Sequence, residues 1–242
     1  MRLFTRMLLL TALIPVPATF LFGQNAVDPS GHWQGTIQAP DKAIGFEVDL
    51  AKNGDGELVG TVSIPAQQVK GLPLGKVTVE GGAVSFYARS DQPLRGVLSA
   101  DGTSMSGDFS ARGASLPFTM TRAGEARIEA PVKSAPITKE LEGTWNGTLE
   151  VEGIQLRLVL TMSNQPDGTA IGRIVNLDEG GLQIPVAITQ KASTVTLDST
   201  VVASGFAGTL NAAGTELAGT FTQGAVVAPL TFRRGAAPEG RR

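Results

Sequence analysis

The sequence carries one histidine, His32, no cysteine, and 22 acidic residues against 20 Lys and Arg. Those counts bound the chemistry before any fold is drawn. Nucleophilic catalysis needs a nucleophile, a base and an orienting group within reach of one another. No Gly-x-Ser-x-Gly elbow and no supported Ser-x-x-Lys signature accompanies the single imidazole. On an alternating strand His32 faces away from its neighbour Trp33, which predicts a solvent-exposed ring. Zinc and copper sites draw on Cys and His, so neither is expected. Asn53-Gly-Asp-Gly-Glu57 is rich in oxygen donors but lacks the alternate-residue spacing and distal glutamate of a calcium loop, and it reads as a tight turn. Asp178-Glu179 has only Gln67-Gln68 near its counterpart, so no shared metal site is implied. Asn146-Gly-Thr148 fits a glycosylation pattern and is read as strand sequence. The expectation is a non-catalytic protein with no metal and no cofactor.

The elements that position these residues come as a duplication. Gly31-His-Trp-Gln-Gly-Thr-Ile37 returns as Gly143-Thr-Trp-Asn-Gly-Thr-Leu149, 112 positions later. The offset persists: Asp55-Gly56 with Asp167-Gly168, Leu72-Pro73-Leu74 with Ile184-Pro185-Val186, Met105-Ser-Gly-Asp-Phe109 with Leu217-Ala-Gly-Thr-Phe221, and Arg122 with Arg234. A slip of one or two residues is read at the second and fifth strands, with Leu156, Leu158 and Leu160 standing for Phe46, Val48 and Leu50. Apolar alternations such as Phe46, Val48, Leu50 recur every eight to twelve residues between glycine turns, the period of half-buried strands. No helical stripe lasts three turns, and only a turn near Ala66–Val69 is expected. The fold predicted is all-β: two small antiparallel eight-stranded up-and-down barrels, closed so that no edge is left unpaired.

Composition is 42% hydrophobic and 17% charged with a net charge of −2, so neither repeat reads as disordered and scattered cations give no warrant for nucleic acid. Arg2 and Arg6 precede an apolar run from Met7 to Phe22 interrupted by Pro15 and Pro17, with Gly23 or Ala26 as cleavage points. That layout predicts a secretory signal peptide over 1–26 and a periplasmic or extracellular protein, with no membrane insertion after cleavage. The remaining boundaries follow from periodicity: repeat one over 27–122, a Pro- and charge-rich linker over 123–142, repeat two over 143–234, and a polar, frayed tail over 235–242.

Gly31-x-Trp33 and Gly143-x-Trp145 on a first strand, with Arg122 and Arg234 closing the last, resemble the structural signature of the calycins (lipocalins, avidins and relatives). The resemblance implies that each Trp plugs one end of a barrel and that an Arg caps its ring, with structural rather than catalytic roles. A second likeness covers nearly all the mature chain. Gly143–Leu149, Leu156–Leu160, Asp167-Gly168, Ile184-Pro185-Val186, Leu217–Phe221 and Pro229-Leu230 are similar to β domains of secreted bacterial proteins, some of which precede an α/β-hydrolase domain. No hydrolase domain follows here, so catalysis does not carry over. These likenesses imply a binding or interaction module for a small apolar ligand or an envelope protein. The alternative is an accessory protein working beside a separately encoded secreted hydrolase.

Overall fold

The computed structural model describes residues 27–111 and 113–235, so the segment 1–26 read as a signal peptide and the tail beyond Gly235 lie outside the described residues. Repeat one forms β1 (Gly31–Gln38), β2 (Ala43–Lys52), β3 (Leu58–Ile64), β4 (Val69–Pro73), β5 (Lys76–Glu80), β6 (Ala83–Tyr87), β7 (Leu94–Leu98), β8 (Ser104–Ala111) and β9 (Ala114–Gly124). Repeat two forms β10 (Gly143–Val151), β11 (Ile154–Asn164), β12 (Ala170–Asn176), β13 (Leu182–Lys191), β14 (Thr194–Ser199), β15 (Ser204–Leu210), β16 (Glu216–Gln223) and β17 (Val226–Arg234). The one helical element among the described residues is a 3₁₀ turn, Pro65–Gln67. Every strand pairing is antiparallel, and β10 to β17 close into an eight-stranded barrel through the β10–β17 pair.

Repeat one departs from the expected second closed eight-stranded barrel: it is a curled nine-stranded sheet, an open barrel whose edges are β4 and β5. The break has a one-residue cause. Val84 pairs with Gly96 and Phe86 with Leu94, whereas Val195 pairs with Gly208 and Leu197 with Phe206. The offset is therefore 111 on the β5–β6 hairpin and 112 on β3, so repeat one has one extra residue between Leu74 and Lys76. That residue is Gly75. An inserted residue bends a strand and interrupts its ladder, and here it splits the counterpart of the continuous β13. The sheet still meets itself across the break: Leu74 N–H donates to Gly60 O and Gly75 N–H to Tyr87 O. A Cβ at Gly75 would stand 2.6 Å from the Tyr87 ring, which explains the glycine.

The slip expected at the fifth strand of each barrel (β6 and β14) is therefore real, and the one at the second strand is not. Trp33 lies opposite Val48 and Trp145 opposite Leu160, an unbroken offset of 112. The counterparts of Phe46, Val48 and Leu50 are Leu158, Leu160 and Met162, a correction to the two-residue shift. Three leucines in alternation, Leu156, Leu158 and Leu160, allow either register by pattern alone, and the cross-strand partners decide it.

The stretch 123–142 carries more structure than its composition announces. Ser134 forms an antiparallel bridge with Ala170, Asn164 clamps both the N–H and the C=O of Ile137, and Ile137 and Leu141 are buried in the second core. The barrels meet through the ends away from the two tryptophans. Lys70 N–H, at the start of β4 just after the β3–β4 connection, donates to Val201 O in the β14–β15 loop. Reciprocally, Ser90 in the β6–β7 loop donates to Gly180 O, and Arg89 pairs with Glu179, both in the β12–β13 loop. Equivalent loops are exchanged across the contact, the pattern of an isologous interface built within one chain. Val201 enters the first core, with Leu182 and Val202 packed against it.

Candidate binding site

The same end of each repeat is closed by a tryptophan and an arginine, Trp33 with Arg122 and Trp145 with Arg234. Trp33 and Trp145 start β1 and β10, both with 0% exposure, and each indole N–H donates to a backbone carbonyl four residues earlier, Pro29 or Leu141. Arg122 lies 4.7 Å from the centre of the Trp33 ring and Arg234 4.4 Å from that of Trp145. Arg122 donates to the carbonyls of Gly102, Ser30 and Asp28. Arg234 donates to Gly214, Glu142 and Glu140, the same positions 112 residues on. A planar five-donor guanidinium can stack and satisfy three carbonyls at once, which a lysine cannot. These residues hold the entering chain against the barrel floor.

Beyond the plug, the second barrel is hollow. A cavity of about 200 Å³ is walled by Leu149, Leu156, Leu158, Ile174, Ile184, Val186, Leu197, Phe206, Phe221 and Leu230. In the first barrel Phe46, Phe86 and Phe118, each no more than 4% exposed, stand where Leu158, Leu197 and Leu230 line that cavity. Phe46 and Phe118 meet edge to face with ring centres 6.1 Å apart. Three rings replaced by three isobutyl groups leave space that dense packing would otherwise fill.

Polar atoms gather at the mouth and are paired. Asn176 donates to Glu179, Glu179 receives Arg89 of the first barrel, and Gln223 donates to Val202 O. Leu182 and Val202 line the cavity with one face of the mouth turned against the first barrel. The other side of the rim, at the β10–β11 and β16–β17 turns, presents Ile154 at 62% and Val227 at 70% exposure. An apolar interior with its polar groups confined to the entrance selects an apolar body and solvates its end.

His32 is not in solvent, contrary to expectation. It is 8% exposed, its Nδ1 lies 2.9 Å from Asp49 Oδ1, and the same oxygen accepts Arg127 N–H at 2.8 Å. The ring does face the outside of the barrel wall, but β9 runs on to Gly124 and the chain leaving it covers both side chains. The repeat-two positions are Thr144 and Thr161. Asn53 Oδ1 accepts the N–H groups of Asp55 and Glu57, so the oxygen-rich loop is closed upon itself as a turn. Asp178 is held by Arg157, whose hydrogen bonds keep its carboxyl below the ordinary carboxylate range. No cluster of three metal-ligating side chains occurs among the described residues.

No protein-family model and no curated protein matches the sequence. Among solved structures, an outer-membrane-protein candidate of Bacteroides fragilis is 13% identical, with 85% of this chain and 97% of that one covered and a TM-score of 0.27. A Nostoc punctiforme protein of unknown function from the DUF3598 family is 15% identical, with 86% and 94% covered and a TM-score of 0.27. The Myxococcus xanthus hemagglutinin, solved with a mannopentaose, is 14% identical, with 85% and 100% covered and a TM-score of 0.20. Scores this low carry no argument about function, which rests on the geometry of the second barrel.

Proposed function

We propose that this is an exported, non-catalytic binding protein of calycin type, whose second barrel holds one small apolar molecule. The observation that carries the reading is the cavity of about 200 Å³ in a barrel whose duplicate fills the same space with three phenyl rings. Its size sets the ligand. An apolar cavity of about 150 Å³ stays dry and accepts benzene, so this one fits a compact body of roughly seven to ten non-hydrogen atoms. A long acyl chain or a sterol is too large. The mouth groups Glu179, Asn176 and Gln223 favour a ligand with one polar end. The first barrel then serves as support: its loops brace one side of the mouth through Val201, Gly180 and Glu179.

Native mass spectrometry of gently purified protein, followed by extraction, tests this. One small apolar molecule per chain is expected, and it should be missing from Leu158→Phe. A chain at its bare mass that also fails to take up compact apolar probes defeats the reading. Binding that survives Leu158→Phe puts the ligand elsewhere.

A further inference from the structure

We infer that the polar rim makes the second barrel specific for an amine: the cavity takes a compact apolar body whose protonated amino end lies against Glu179. The inference rests on the ligand role proposed for that cavity and names the chemistry of the ligand's polar end. The duplication isolates the groups concerned. Asn176, Glu179, Ser199 and Gln223 stand where the first repeat has Ile64, Gln67, Ala88 and Ala111. The hollow interior is thus accompanied by four polar side chains, one of them charged. The filled one has aliphatic side chains and a neutral amide at the same places. Asn176 and Ser199 are each only 5% exposed, and a polar group buried without a partner costs free energy.

The rim offers acceptors and no free cation. Glu179 accepts Asn176 Nδ2 at 2.9 Å and Arg89 at 3.4 Å, and its side chain keeps 39% exposure at the mouth. Arg89 is fully engaged, with Nε and Nη2 donating to Asp91 and Nη1 to Glu179. One guanidinium against two carboxylates leaves one negative charge in excess. Asp178 is already matched by Arg157, and Asn176 Oδ1 accepts Asp178 N–H. Gln223 spends its N–H on Val202 O, so its carbonyl oxygen is what it has to offer. Beside these groups Ser199 alternates with Val195 and Leu197 and therefore faces the interior, opposite Ser204 of the cavity wall. Its hydroxyl has no hydrogen-bond partner among the described residues. No lysine or arginine among the described residues lines the cavity.

These groups select by charge. An ammonium donates a charge-assisted hydrogen bond to a carboxylate, stronger than any bond between neutral partners. A ligand carboxylate would instead meet the excess negative charge at Glu179 with every cation beside it already paired, and an uncompensated charge of this kind excludes an isostere. A neutral hydroxyl can bond to Glu179 or Ser199 but recovers no attraction between opposite charges. The amine stays at the half-exposed mouth while the apolar body lies among Leu158, Leu197, Phe206 and Leu230, so the charge is not carried into the apolar interior.

Ethylbenzene, benzyl alcohol and benzylamine share one shape and differ only in the terminal group, and benzylamine is protonated at neutral pH. Benzoate reverses the charge. Calorimetric titration of each into the full chain should rank benzylamine first, at least about tenfold tighter than ethylbenzene, with benzoate the weakest. This series needs no variant, so misfolding cannot imitate it. Glu179→Gln should then shrink the preference for benzylamine over ethylbenzene at least about fivefold, a ratio read on one and the same protein. Ethylbenzene binding with benzyl alcohol or benzoate as tight as benzylamine overturns the inference and leaves the cavity as an apolar site. A benzylamine preference that Glu179→Gln leaves unchanged, or benzylamine binding that survives Leu158→Phe, overturns it as well. No saturation by any of the four up to about 1 mM defeats the ligand role of the cavity, and the amine with it.

Discussion

At the plugged end the two barrels are chemical copies, and beyond it they part company. Trp33 with Arg122 and Trp145 with Arg234 make the same indole and guanidinium bonds to the same backbone positions. Past that floor, Phe46, Phe86 and Phe118 close the first interior, while Leu158, Leu197 and Leu230 leave the second open. Phe206 and Phe232, where repeat one has Leu94 and Met120, return only part of the lost volume. The difference separates two jobs that one fold can do. The plug satisfies buried carbonyls and a buried indole, so a change there leaves polar groups unpaired. The interior beyond it is apolar in either version and can trade packing for space. The wedge beside β13, where its pairing with β12 ends at Val186, is filled from within the chain by Ser134 and Ile137.

The comparison can be broken most forcefully at its shared part. Trp145→Ala and Trp33→Ala should each cost about 3–5 kcal/mol in denaturant unfolding, the range for a fully buried aromatic. A near-zero cost in either barrel would end the claim that the plugs are equivalent.

The interiors should respond in opposite ways. Phe46→Leu opens a void in a filled barrel and should cost about 1–2 kcal/mol, measured on the unfolding transition of repeat one. Leu158→Phe fills an existing void and should change stability by less than about 1.5 kcal/mol while removing ligand binding. Equal costs for the two substitutions would mean that the barrels are packed alike. Gly75→Ala, which sets a methyl against the Tyr87 ring, should cost about 1–3 kcal/mol as an overpacking change.

The smallest effect concerns the filled wedge and acid. The Lys133 ammonium, by its hydrogen bond, lowers the Asp167 carboxyl from an ordinary 3.8 to about 2. The folded value is the lower one, so the pair's contribution is present above the ordinary value and lost as the pH falls from about 3.8 through 2. Carbon-detected NMR titration should find the Asp167 midpoint near 2, and Lys133→Ala should return it toward 3.8. An unchanged midpoint would detach Lys133 from the wedge.

Most of the architecture was legible because a period of two, glycine turns and a repeated Gly-x-Trp are local signals. The arginine caps were an implication of the calycin likeness rather than of periodicity, and it is the pairing of β1 with β9 and of β10 with β17 that sets each Arg beside its Trp. The cavity was not, because it depends on register. Phe46 against Leu158 is visible only once Trp33 and Trp145 fix their cross-strand partners, and an alternating leucine run masks the frame. His32 was misplaced because exposure was inferred from its own strand alone, while the cover comes from residues 124–127. The docking of Ser134 and Ile137 has no periodic signature, since a single bridge and one buried aliphatic suffice to seat the segment.

A crystal of the protein held under xenon pressure tests the central claim most directly, because xenon enters dry apolar cavities without needing hydrogen bonds. The account predicts one ordered xenon site among Leu158, Leu197 and Leu230 and none among Phe46, Phe86 and Phe118. Xenon in both barrels, or in the first alone, would contradict the division between a filled barrel and a binding one.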